Sequence, residues 1–381
     1  MATVPTPAAP LPATDAGVAD WVRGLLAQAG ALGASDLHID PGPDGACLRL
    51  RINGLLTDWQ DIPARWLPRL VSRVKVMAHM DLAEKRLPQD GRLLDDTGGL
   101  GSVRIASLPT LHGEKLCLRL SDPGPPPALS ALDLPARVSG ALTQALAQPD
   151  GLILITGPTG SGKTTTLYAC LQFLNQRSRH IATVEDPVER MLPGVIQTAV
   201  QPRIGLDFAT VLRALLRQDP DVLMVGEIRD TATAAMAVQA AETGHLVLST
   251  LHTASALEAL TRLRHLGIPD YLLADTVRLV LAQRLVRRLC RHCRDAAAIG
   301  CPRCHEGYDG RIGLYEFMRM TPELATAWLA GADHAALQRQ ACSHGWPTLR
   351  DSAALAVREG LTSAREVQRV LGRQPDDGEP C

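Results

Sequence analysis

The sequence predicts an α/β protein in which a smaller α+β domain precedes a larger domain with a parallel β-sheet. In the second half of the chain, short apolar runs such as GLILITG and LVLSTLH alternate with segments of helical spacing. Such alternation is typical of a parallel sheet covered by helices on both faces. In the first third, pairs of strand-like runs are joined by turns, and a proline-rich stretch separates the two parts.

The smaller domain is expected to span residues 20–121, after a flexible leader over residues 1–19 that is rich in alanine and proline. Its predicted elements are a helix over 20–34, strands over 35–40 and 46–54, a helix over 63–83, and strands over 101–109 and 114–120. Residues 122–135 form the predicted linker, because the three consecutive prolines at 125–127 continue neither a helix nor a central strand.

The larger domain is expected to span residues 136–381. Its predicted elements are helices over 136–148 and 163–176 and apolar strands over 151–157, 180–185, 221–227 and 246–252. A segment with four cysteines over 286–315 and a helical tail over 316–372 follow. Ligands of open α/β sheets bind at the carboxyl ends of the strands. Residues that follow these strands are therefore candidates for a functional site.

Composition narrows the class of partner. The 381 residues carry a net charge of −1, and only 3% are aromatic, which argues against an electrostatic footprint for nucleic acid and against base-stacking surfaces. Residues 1–20 lack the basic segment and apolar core of a secretory signal. No run of apolar residues reaches the length of about 18 that a membrane span needs. These features predict a cytoplasmic protein and leave a membrane partner open.

The most specific motif is GPTGSGKTTT at 157–166, which matches the phosphate-loop pattern G-x-x-x-x-G-K-[ST] between a predicted strand and a predicted helix. Its glycines let backbone N–H groups point at phosphate oxygens, with help from the helix N-terminus. Lys163 is expected to contact the β- and γ-phosphates, and Thr164 to offer its hydroxyl to Mg²⁺. The sequence therefore predicts a nucleoside triphosphate site with these binding residues: Gly157, Pro158, Thr159, Gly160, Ser161, Gly162, Lys163, Thr164 and Thr165.

Two predicted strands end in carboxylates. DVLMVGE delivers Glu227, and ATVEDPVE delivers Glu185 and Asp186, to the edge of the sheet where ligands bind. Hydrolysis of a nucleoside triphosphate needs a group that orients and deprotonates water, while Mg²⁺ neutralises phosphate charge. We therefore expect these three acids to position water or Mg²⁺, although acids at strand ends also cap turns.

Two CxxC pairs lie in CRHCRDAAAIGCPRC and comprise Cys290, Cys293, Cys301 and Cys304. Disulfides are uncommon in the cytosol, and a thioredoxin-like redox pair belongs near the start of a βαβ unit and not in duplicate. Paired CxxC motifs with a short spacer are typical of tetrahedral Zn²⁺ coordination. The prediction is a structural zinc site that leaves no open position for catalysis. An unmetallated remnant and a redox centre are the alternatives.

Together these motifs resemble the secretion and type IV pilus ATPases, the hexameric motors of type II secretion and type IV pilus systems. The matching blocks stand in family order: GPTGSGKTTTLY, TVEDPVE, LRALLRQDPDVLMVGEIRD and TGHLVLSTLHT. ASDLHID and the stretch from LPQDGRL to HGEKLCLRL resemble the smaller domain of that family, so the resemblance covers roughly residues 20–370. It implies a RecA-like P-loop motor domain, preceded by a PAS-like domain, with a zinc-binding insertion and a helical C-terminal tail.

The resemblance also implies roles for single residues. Glu185 would activate the attacking water, and Glu227 would support the network of Mg²⁺ and water. His245 and His252 would connect the state of the bound ATP to the neighbouring domain. Four arginines match positions that the family directs at the nucleotide from its smaller domain and its motor domain: Arg104, Arg119, Arg213 and Arg217.

Arg119 also has a predicted orientation. Alternation in EKLCLRL puts Leu116, Leu118 and Leu120 on one face of a strand. Arg119 is therefore expected to point away from the apolar face, as any solvated arginine would. The resemblance further implies that a nucleotide bound between such arginines and the phosphate loop would close a hinge at 121–135.

The four cysteines indicate a branch of the family. Assembly and secretion ATPases carry such a tetracysteine segment, whereas pilus-retraction ATPases lack it, and the following GYDGRIGLYE also matches the assembly branch. The chain is expected to begin at the PAS-like domain, without the further N-terminal domain of many assembly-type members.

The resemblance thus implies a cytoplasmic, Mg²⁺-dependent homo-hexamer, peripheral to the inner membrane. It would power assembly of a pilus or pseudopilus by acting on an inner-membrane platform protein. A membrane adaptor on the cytoplasmic face is a further candidate partner, and nucleic acid is not expected to bind. Competing interpretations are a retraction motor, a regulatory subunit with little turnover, and a nucleic-acid translocase.

Overall fold

The structure, a computed structural model, describes residues 10–12, 17–94, 101–120, 124–293, 300–301 and 303–372. Contacts between Cα atoms group the chain into two compact units. Unit 1 holds the described residues up to Gly124 together with the segment Cys290–Gly310. Unit 2 holds Pro125–Leu289 and the described residues from Arg311 onward. Most of the expected leader, and residues 121–123 at the expected linker, lie outside the described residues.

Unit 1 is built on a six-stranded sheet of order β3-β2-β1-β6-β5-β4, in which neighbouring strands run antiparallel. The strands are β1 (Ala34–Gly42), β2 (Gly45–Ile52), β3 (Leu55–Pro63), β4 (Gln89–Leu94), β5 (Ser102–Thr110) and β6 (Gly113–Leu120). The edge strands β3 and β4 are missing from the sequence prediction. In β3 only Trp59 and Ile62 are buried, so its apolar pattern is too sparse to be recognised.

Two helices pack on this sheet, α1 (Val18–Ala31) and α2 (Leu67–Met77). The buried residues of α1 recur at the spacing of an amphipathic helix: Val18, Trp21, Val22, Leu25, Leu26 and Ala29. They share a core with the strand residues Leu37, Leu48 and Leu118, and burial of each such leucine contributes about 1.5–3 kcal/mol. The predicted α+β character of the smaller domain is therefore present.

Unit 2 is built on a seven-stranded sheet of order β13-β12-β7-β11-β10-β8-β9. The strands are β7 (Gly151–Thr156), β8 (Ile181–Glu185), β9 (Ile196–Ala199), β10 (Val222–Val225), β11 (Leu246–Leu251), β12 (Val277–Leu289) and β13 (Tyr308–Arg319). The pairings from β12 to β9 are all parallel. Strands β7, β8, β10 and β11 are buried at every residue, because helices cover both faces of such a sheet. The predicted parallel sheet is confirmed.

The helices of unit 2 follow the strands and then form a tail. They are α3 (Ala136–Leu146), α4 (Lys163–Leu174), α5 (Phe208–Leu215), α6 (Thr231–Glu242), α7 (Ala256–His265), α8 (Asp270–Thr276), α9 (Pro322–Leu329), α10 (His334–Ser343), α11 (Leu349–Arg358) and α12 (Ala364–Leu371). Asp230 begins α6 by accepting a hydrogen bond from the Thr233 N–H, as an N-cap residue does. No helix within the described ranges has the length and apolar character needed to cross a bilayer.

Strands β12 and β13 are not in the sequence prediction. Gln283, Arg284 and Arg287 are buried on β12 and interrupt the apolar pattern that identifies the other strands. The predicted helical tail begins at 316, but β13 continues to Arg319 and the tail starts with α9. The cysteine segment between these strands groups with unit 1 by its contacts, whereas the sequence analysis assigned it to the larger domain. The predicted domain bounds stay a prediction.

Candidate active site

The phosphate loop, residues 157–162, connects the end of β7 to the start of α4. Gly157, Gly160 and Gly162 have φ angles of 148°, 79° and 88°, a region that residues with a Cβ seldom occupy. A Cβ on Gly157 would lie 2.4 Å from the carbonyl oxygen of Gln283, and a Cβ on Gly162 would lie 2.7 Å from Gln283 Nε2. Glycine is therefore required for the curl that points N–H groups at a phosphate.

Lys163 is the first residue of α4 and is buried. Its Nζ donates hydrogen bonds to the carbonyl oxygens of Gly157 at 2.8 Å and Pro158 at 3.0 Å. Burial lowers the pKa of Lys163 to about 8, with a smaller opposing effect of the Glu227 carboxylate and a further lowering by Arg284. An anionic phosphate bound in the loop would favour the charged ammonium.

Hydroxyl groups around the loop fit a bound phosphate chain. The Ser161 Oγ is buried and has no hydrogen-bond partner among the residues that the structure describes. Thr164 and Thr165 are exposed in the first turn of α4, and Pro158, Thr159 and Gly160 form an exposed rim. A buried hydroxyl without a partner beside an open helix N-terminus suits an anionic ligand. Thr164 remains the predicted Mg²⁺ ligand.

Strand β12 lies beside the loop because it pairs with β7, and sequence reasoning did not connect it with the site. Gln283 Oε1 accepts a hydrogen bond from the Thr166 hydroxyl at 2.9 Å. Arg284 donates to the carbonyl oxygens of Gln283 at 2.9 Å and Ala254 at 2.7 Å. No local signal identifies these residues, because the bond between Thr166 and Gln283 spans 117 positions.

Glu227 follows β10 and faces the side chains of Arg229 and His252. Its Oε1 lies 2.5 Å from an NH2 nitrogen of Arg229, and its Oε2 lies 3.5 Å from the Nε2 of His252. Burial lowers the pKa of His252, the charge of Lys163 lowers it further, and Glu227 acts in the opposite direction. The structure therefore brings together three predicted site residues, Lys163, Glu227 and His252.

Glu185 ends β8 and is buried, with 3% of its surface exposed. Its Oε1 accepts hydrogen bonds from the Thr183 hydroxyl at 2.6 Å and from Gln197 Nε2 at 3.0 Å. Its Oε2 accepts one from the Tyr168 hydroxyl at 2.5 Å. Sequence reasoning identified Glu185 and missed all three donors. Only Thr183 has a local signal, since residues two apart on a strand share a face.

Two further predicted residues lie in different places: Asp186, expected to position water or Mg²⁺, and His245, expected to connect the nucleotide state to the neighbouring domain. Asp186 is exposed directly after Glu185. His245 precedes β11, where its carbonyl oxygen accepts a hydrogen bond from the Gly151 N–H at 3.1 Å and its Nδ1 lies 2.9 Å from the Ala240 carbonyl oxygen. His252 follows the other end of β11, about 20 Å away at the rise of a strand. The structure thus does not bring His245 to the phosphate loop, and its linking role stays a prediction.

Arg213 and Arg217 lie at and just beyond the end of α5, and both are exposed. An NH1 nitrogen of Arg217 donates to the carbonyl oxygen of Arg213 at 2.9 Å. Within the described ranges, no hydrogen bond or ion pair joins either guanidinium to Lys163, Glu185 or Glu227. Their action on the nucleotide stays a prediction.

Unit 1 carries a row of charged residues across its own sheet. Arg92, Arg104 and Arg119 are cross-strand neighbours on β4, β5 and β6, and Asp36 follows on β1. Arg119 donates from Nε to Asp36 Oδ1 at 2.9 Å and is more than half exposed. Its neighbour Leu118 is fully buried, so the predicted orientation of Arg119 is confirmed. Adjacent like charges repel, and the carboxylate of Asp36 offsets part of that repulsion at Arg119.

The four cysteine thiols lie within 4.8 Å of one another. The Sγ atoms of Cys290 and Cys301 are 3.8 Å apart, and those of Cys293 and Cys304 are 3.5 Å apart. A tetrahedron with Zn–S bonds of about 2.3 Å has sulfur–sulfur edges of about 3.8 Å. The donor set and its spacing therefore fit Zn²⁺. Most of the expected short spacer, residues 294–299, lies outside the described residues.

The match to known proteins covers almost the whole chain. The model of the family described as Type II/IV secretion system protein matches residues 13–369. The chain belongs to this family. The type IV pilus assembly ATPase PilB of Acinetobacter baylyi is 43% identical over 385 aligned residues, which cover 93% of this chain and 66% of the relative. The type II secretion system ATPase E of Vibrio cholerae is 43% identical over 381 residues, covering 93% and 76%.

This member of the secretion-system family spans about two thirds of the length of the PilB relative. Among solved structures, the ATPase DotB of Legionella pneumophila has a TM-score of 0.73 at 24% identity, covering 96% of this chain and 98% of that one. The pilus retraction motor PilT with bound ADP has a TM-score of 0.66 at 27% identity, covering 92% and 96%. The predicted family, fold class and P-loop ATPase identity are confirmed.

Proposed function

We propose that this secretion-family ATPase is a Mg²⁺-dependent motor that powers assembly of a pilus or pseudopilus. The observation that carries the proposal is the convergence of Lys163, Glu227 and His252 at the carboxyl edge of a parallel sheet. It occurs in a chain that is 43% identical to a named pilus assembly ATPase and to a named type II secretion ATPase.

In the proposed reaction, water attacks the γ-phosphorus of ATP, the bond to the β–γ bridging oxygen breaks, and ADP and inorganic phosphate leave. The backbone N–H groups of 157–162 and the ammonium of Lys163 bind the phosphates. Glu185 orients the water and accepts its proton. Arg104, Arg119, Arg213 and Arg217 are proposed to stabilise the charge that develops on the γ-phosphate.

Two metals belong to the proposal. The Thr164 hydroxyl and the Glu227 carboxylate would hold Mg²⁺, and Asp186 is proposed to assist them; the ion when bound neutralises charge on the phosphates. Cys290, Cys293, Cys301 and Cys304 would hold Zn²⁺. Because all four zinc positions are occupied by protein, this ion would stabilise the segment and take no part in hydrolysis.

The proposed motor acts as a homo-hexamer on membrane partners. Six copies would act as a ring on an inner-membrane platform protein, at the cytoplasmic face of the membrane and with a membrane adaptor as a further partner. His245 and His252 would link the nucleotide state to the adjoining domain, and the hinge at 121–135 would close and open with each turnover.

Two findings favour assembly over retraction. The curated relatives at 42–43% identity include proteins named as pilus assembly and type II secretion ATPases, whereas the named retraction motor is 27% identical. The four clustered thiols also suit the tetracysteine segment that the assembly branch carries. In cells, loss of an assembly motor should abolish filaments or secretion, while loss of a retraction motor should leave filaments extended.

The central test is hydrolysis of ATP by the purified chain with Mg²⁺. Lys163→Ala should abolish both binding and turnover, Glu185→Ala should leave only a small residual turnover, and the exposed Lys85→Ala should retain the wild-type rate. A chain that binds ATP and does not hydrolyse it would favour a regulatory subunit. Stimulation by a candidate platform protein, and six copies by light scattering in ATP, would support the motor.

A further inference from the structure

The hydroxyl of Tyr168 connects three parts of unit 2. Tyr168 lies on α4, the helix that opens with Lys163, and only 1% of its surface is exposed. Its hydroxyl donates to Glu185 Oε2 at 2.5 Å. The same oxygen accepts hydrogen bonds from the backbone N–H groups of Glu189 at 3.1 Å and Arg190 at 3.3 Å. The helix of the phosphate loop is thereby joined to the predicted water-activating carboxylate and to the segment that follows it.

The three donors on Glu185 leave little freedom to its carboxylate. An ionised carboxylate offers about four lone-pair sites on its two oxygens. Thr183 and Gln197 occupy the two sites on Oε1, and Tyr168 occupies one site on Oε2. The remaining site lies on Oε2, in a direction that the protein sets. A carboxylate held in this way can orient one water, whereas a freely rotating one would not.

We infer that Tyr168, Thr183 and Gln197 are positioning residues for hydrolysis, which hold Glu185 so that one lone pair of Oε2 receives the attacking water. The inference rests on the proposed role of Glu185. Burial raises the pKa of the Tyr168 hydroxyl, and the neighbouring carboxylate raises it further, so the hydroxyl keeps its proton for donation. Since these residues act through Glu185, their loss should slow turnover and spare nucleotide binding.

The choice of variants follows from the contacts. Gln197 also donates to the Arg190 carbonyl oxygen and accepts from the Leu192 N–H, so its replacement would disturb the neighbouring segment. Tyr168→Phe removes one hydroxyl and keeps the ring, although the N–H groups of Glu189 and Arg190 also lose this acceptor, so the Thr183 variants are the cleaner pair. Thr183→Val removes the other hydroxyl and keeps the shape, while Thr183→Ser keeps the hydroxyl. The buried Tyr315 on β13 supplies a matched control, Tyr315→Phe.

The test measures kcat, KM and the Kd of a fluorescent ATP analogue for the full chain with Mg²⁺. Tyr168→Phe and Thr183→Val should each lower kcat by about 10- to 100-fold, the cost of a misplaced catalytic group, with KM and Kd within about twofold of wild type. Thr183→Ser should recover most of the turnover lost in Thr183→Val. Tyr315→Phe should keep the wild-type kcat.

A double variant separates positioning from a structural role. In a Glu185→Gln background, Tyr168→Phe should cause little further loss, because residues that act as a unit are not additive. The inference would be overturned if the losses of kcat in the two single variants multiplied in the double variant. It would also be overturned if nucleotide affinity fell together with kcat, or if Tyr168→Phe left turnover unchanged. The ATPase proposal would stand in each case. Should Tyr168→Phe fail to fold, the Thr183 pair decides. An inactive wild-type chain would overturn the proposed function itself, and this inference with it.

Discussion

The Nε2 of His252 lies 3.5 Å from the Oε2 of Glu227. The two residues are 25 positions apart in the chain and follow neighbouring parallel strands, Glu227 after β10 and His252 after β11. Because parallel strands end at one edge of the sheet, both side chains lie in the region of Lys163. The Glu227 carboxylate raises the pKa of Lys163, and the charge of Lys163 lowers the pKa of His252. This contact links two motifs that the sequence shows only as separate blocks.

The first prediction concerns the protonation of His252. Burial and the charge of Lys163 lower its pKa from the usual value of about 6.5. The imidazole should therefore be neutral at pH 7, and half of it should be protonated only at a pH below about 6.5. Titration by NMR should give a midpoint below 6.5, with the His252 signal assigned by its loss in His252→Asn. The chain has eleven histidines, so this assignment is necessary.

Two variants check the sign of this prediction. Lys163→Met removes a cation that lowers the pKa of His252, so its midpoint should rise. Glu227→Gln removes a carboxylate that raises it, so the midpoint should fall. A midpoint above 6.5 in the wild-type chain, or shifts in the reverse directions, would show that His252 does not occupy this environment.

The second prediction concerns the arginine row of unit 1. Arg104→Ala and Arg119→Ala should lower kcat by about 10³-fold or more, as loss of an arginine that acts on the transition state does, and weaken ATP binding much less. Steady-state kinetics and equilibrium binding give the two quantities. Arg23→Ala, at an exposed ion pair on α1, is the control and should leave both near wild type. Equal losses of binding and turnover would contradict a transition-state role.

The third prediction concerns zinc. Elemental analysis should find about one zinc ion per chain, and none in the double variant Cys290→Ser/Cys293→Ser, since a four-thiolate site without two ligands cannot hold the ion tightly. Cys117→Ser, a cysteine outside the cluster, should keep its zinc. Zinc retained by the double variant, or absent from a wild-type chain prepared with zinc, would disprove the site.

The fourth prediction concerns the C-terminal helix. Glu366 on α12 is fully buried and accepts hydrogen bonds from the Arg287 Nε at 3.0 Å and from the Arg369 Nε at 2.9 Å. Burial by itself raises the pKa of Glu366, but the bonds from Arg369 and Arg287 outweigh it and the net pKa is lowered. Glu366→Gln breaks a buried charge pair and should cost about 3 kcal/mol at pH 7.

The lowered pKa of Glu366 determines how its contribution to stability changes with pH. A carboxyl whose folded pKa lies below its unfolded value of about 4.3 stabilises the fold above that pH and loses the contribution as the pH falls through the folded pKa. Thermal unfolding should therefore show a large difference between wild type and Glu366→Gln at pH 7 that shrinks below about pH 4. The exposed Glu359→Gln should change little. A difference that grows in acid would contradict the pairing.

How far the sequence predicts the site depends on the range of each interaction. The phosphate loop was predicted residue by residue, because its conformation depends on three closely spaced glycines between a strand and a helix. Glu185 and Glu227 were predicted from strand ends. Tyr168 and Gln283 were missed, since their bonds to Glu185 and Thr166 span 17 and 117 positions.

The sequence by itself determined the fold class, the family, the phosphate loop and the four thiols, because these depend on short patterns of residue type. Only the tertiary structure decided which of those residues meet. The strand order β12-β7-β11-β10-β8 places His252 against Glu227. His245 lies at the opposite end of β11. The same strand order places Gln283 and Arg284 of β12 beside the phosphate loop. Strand order follows from packing across the whole sheet, and no local pattern of side chains encodes it.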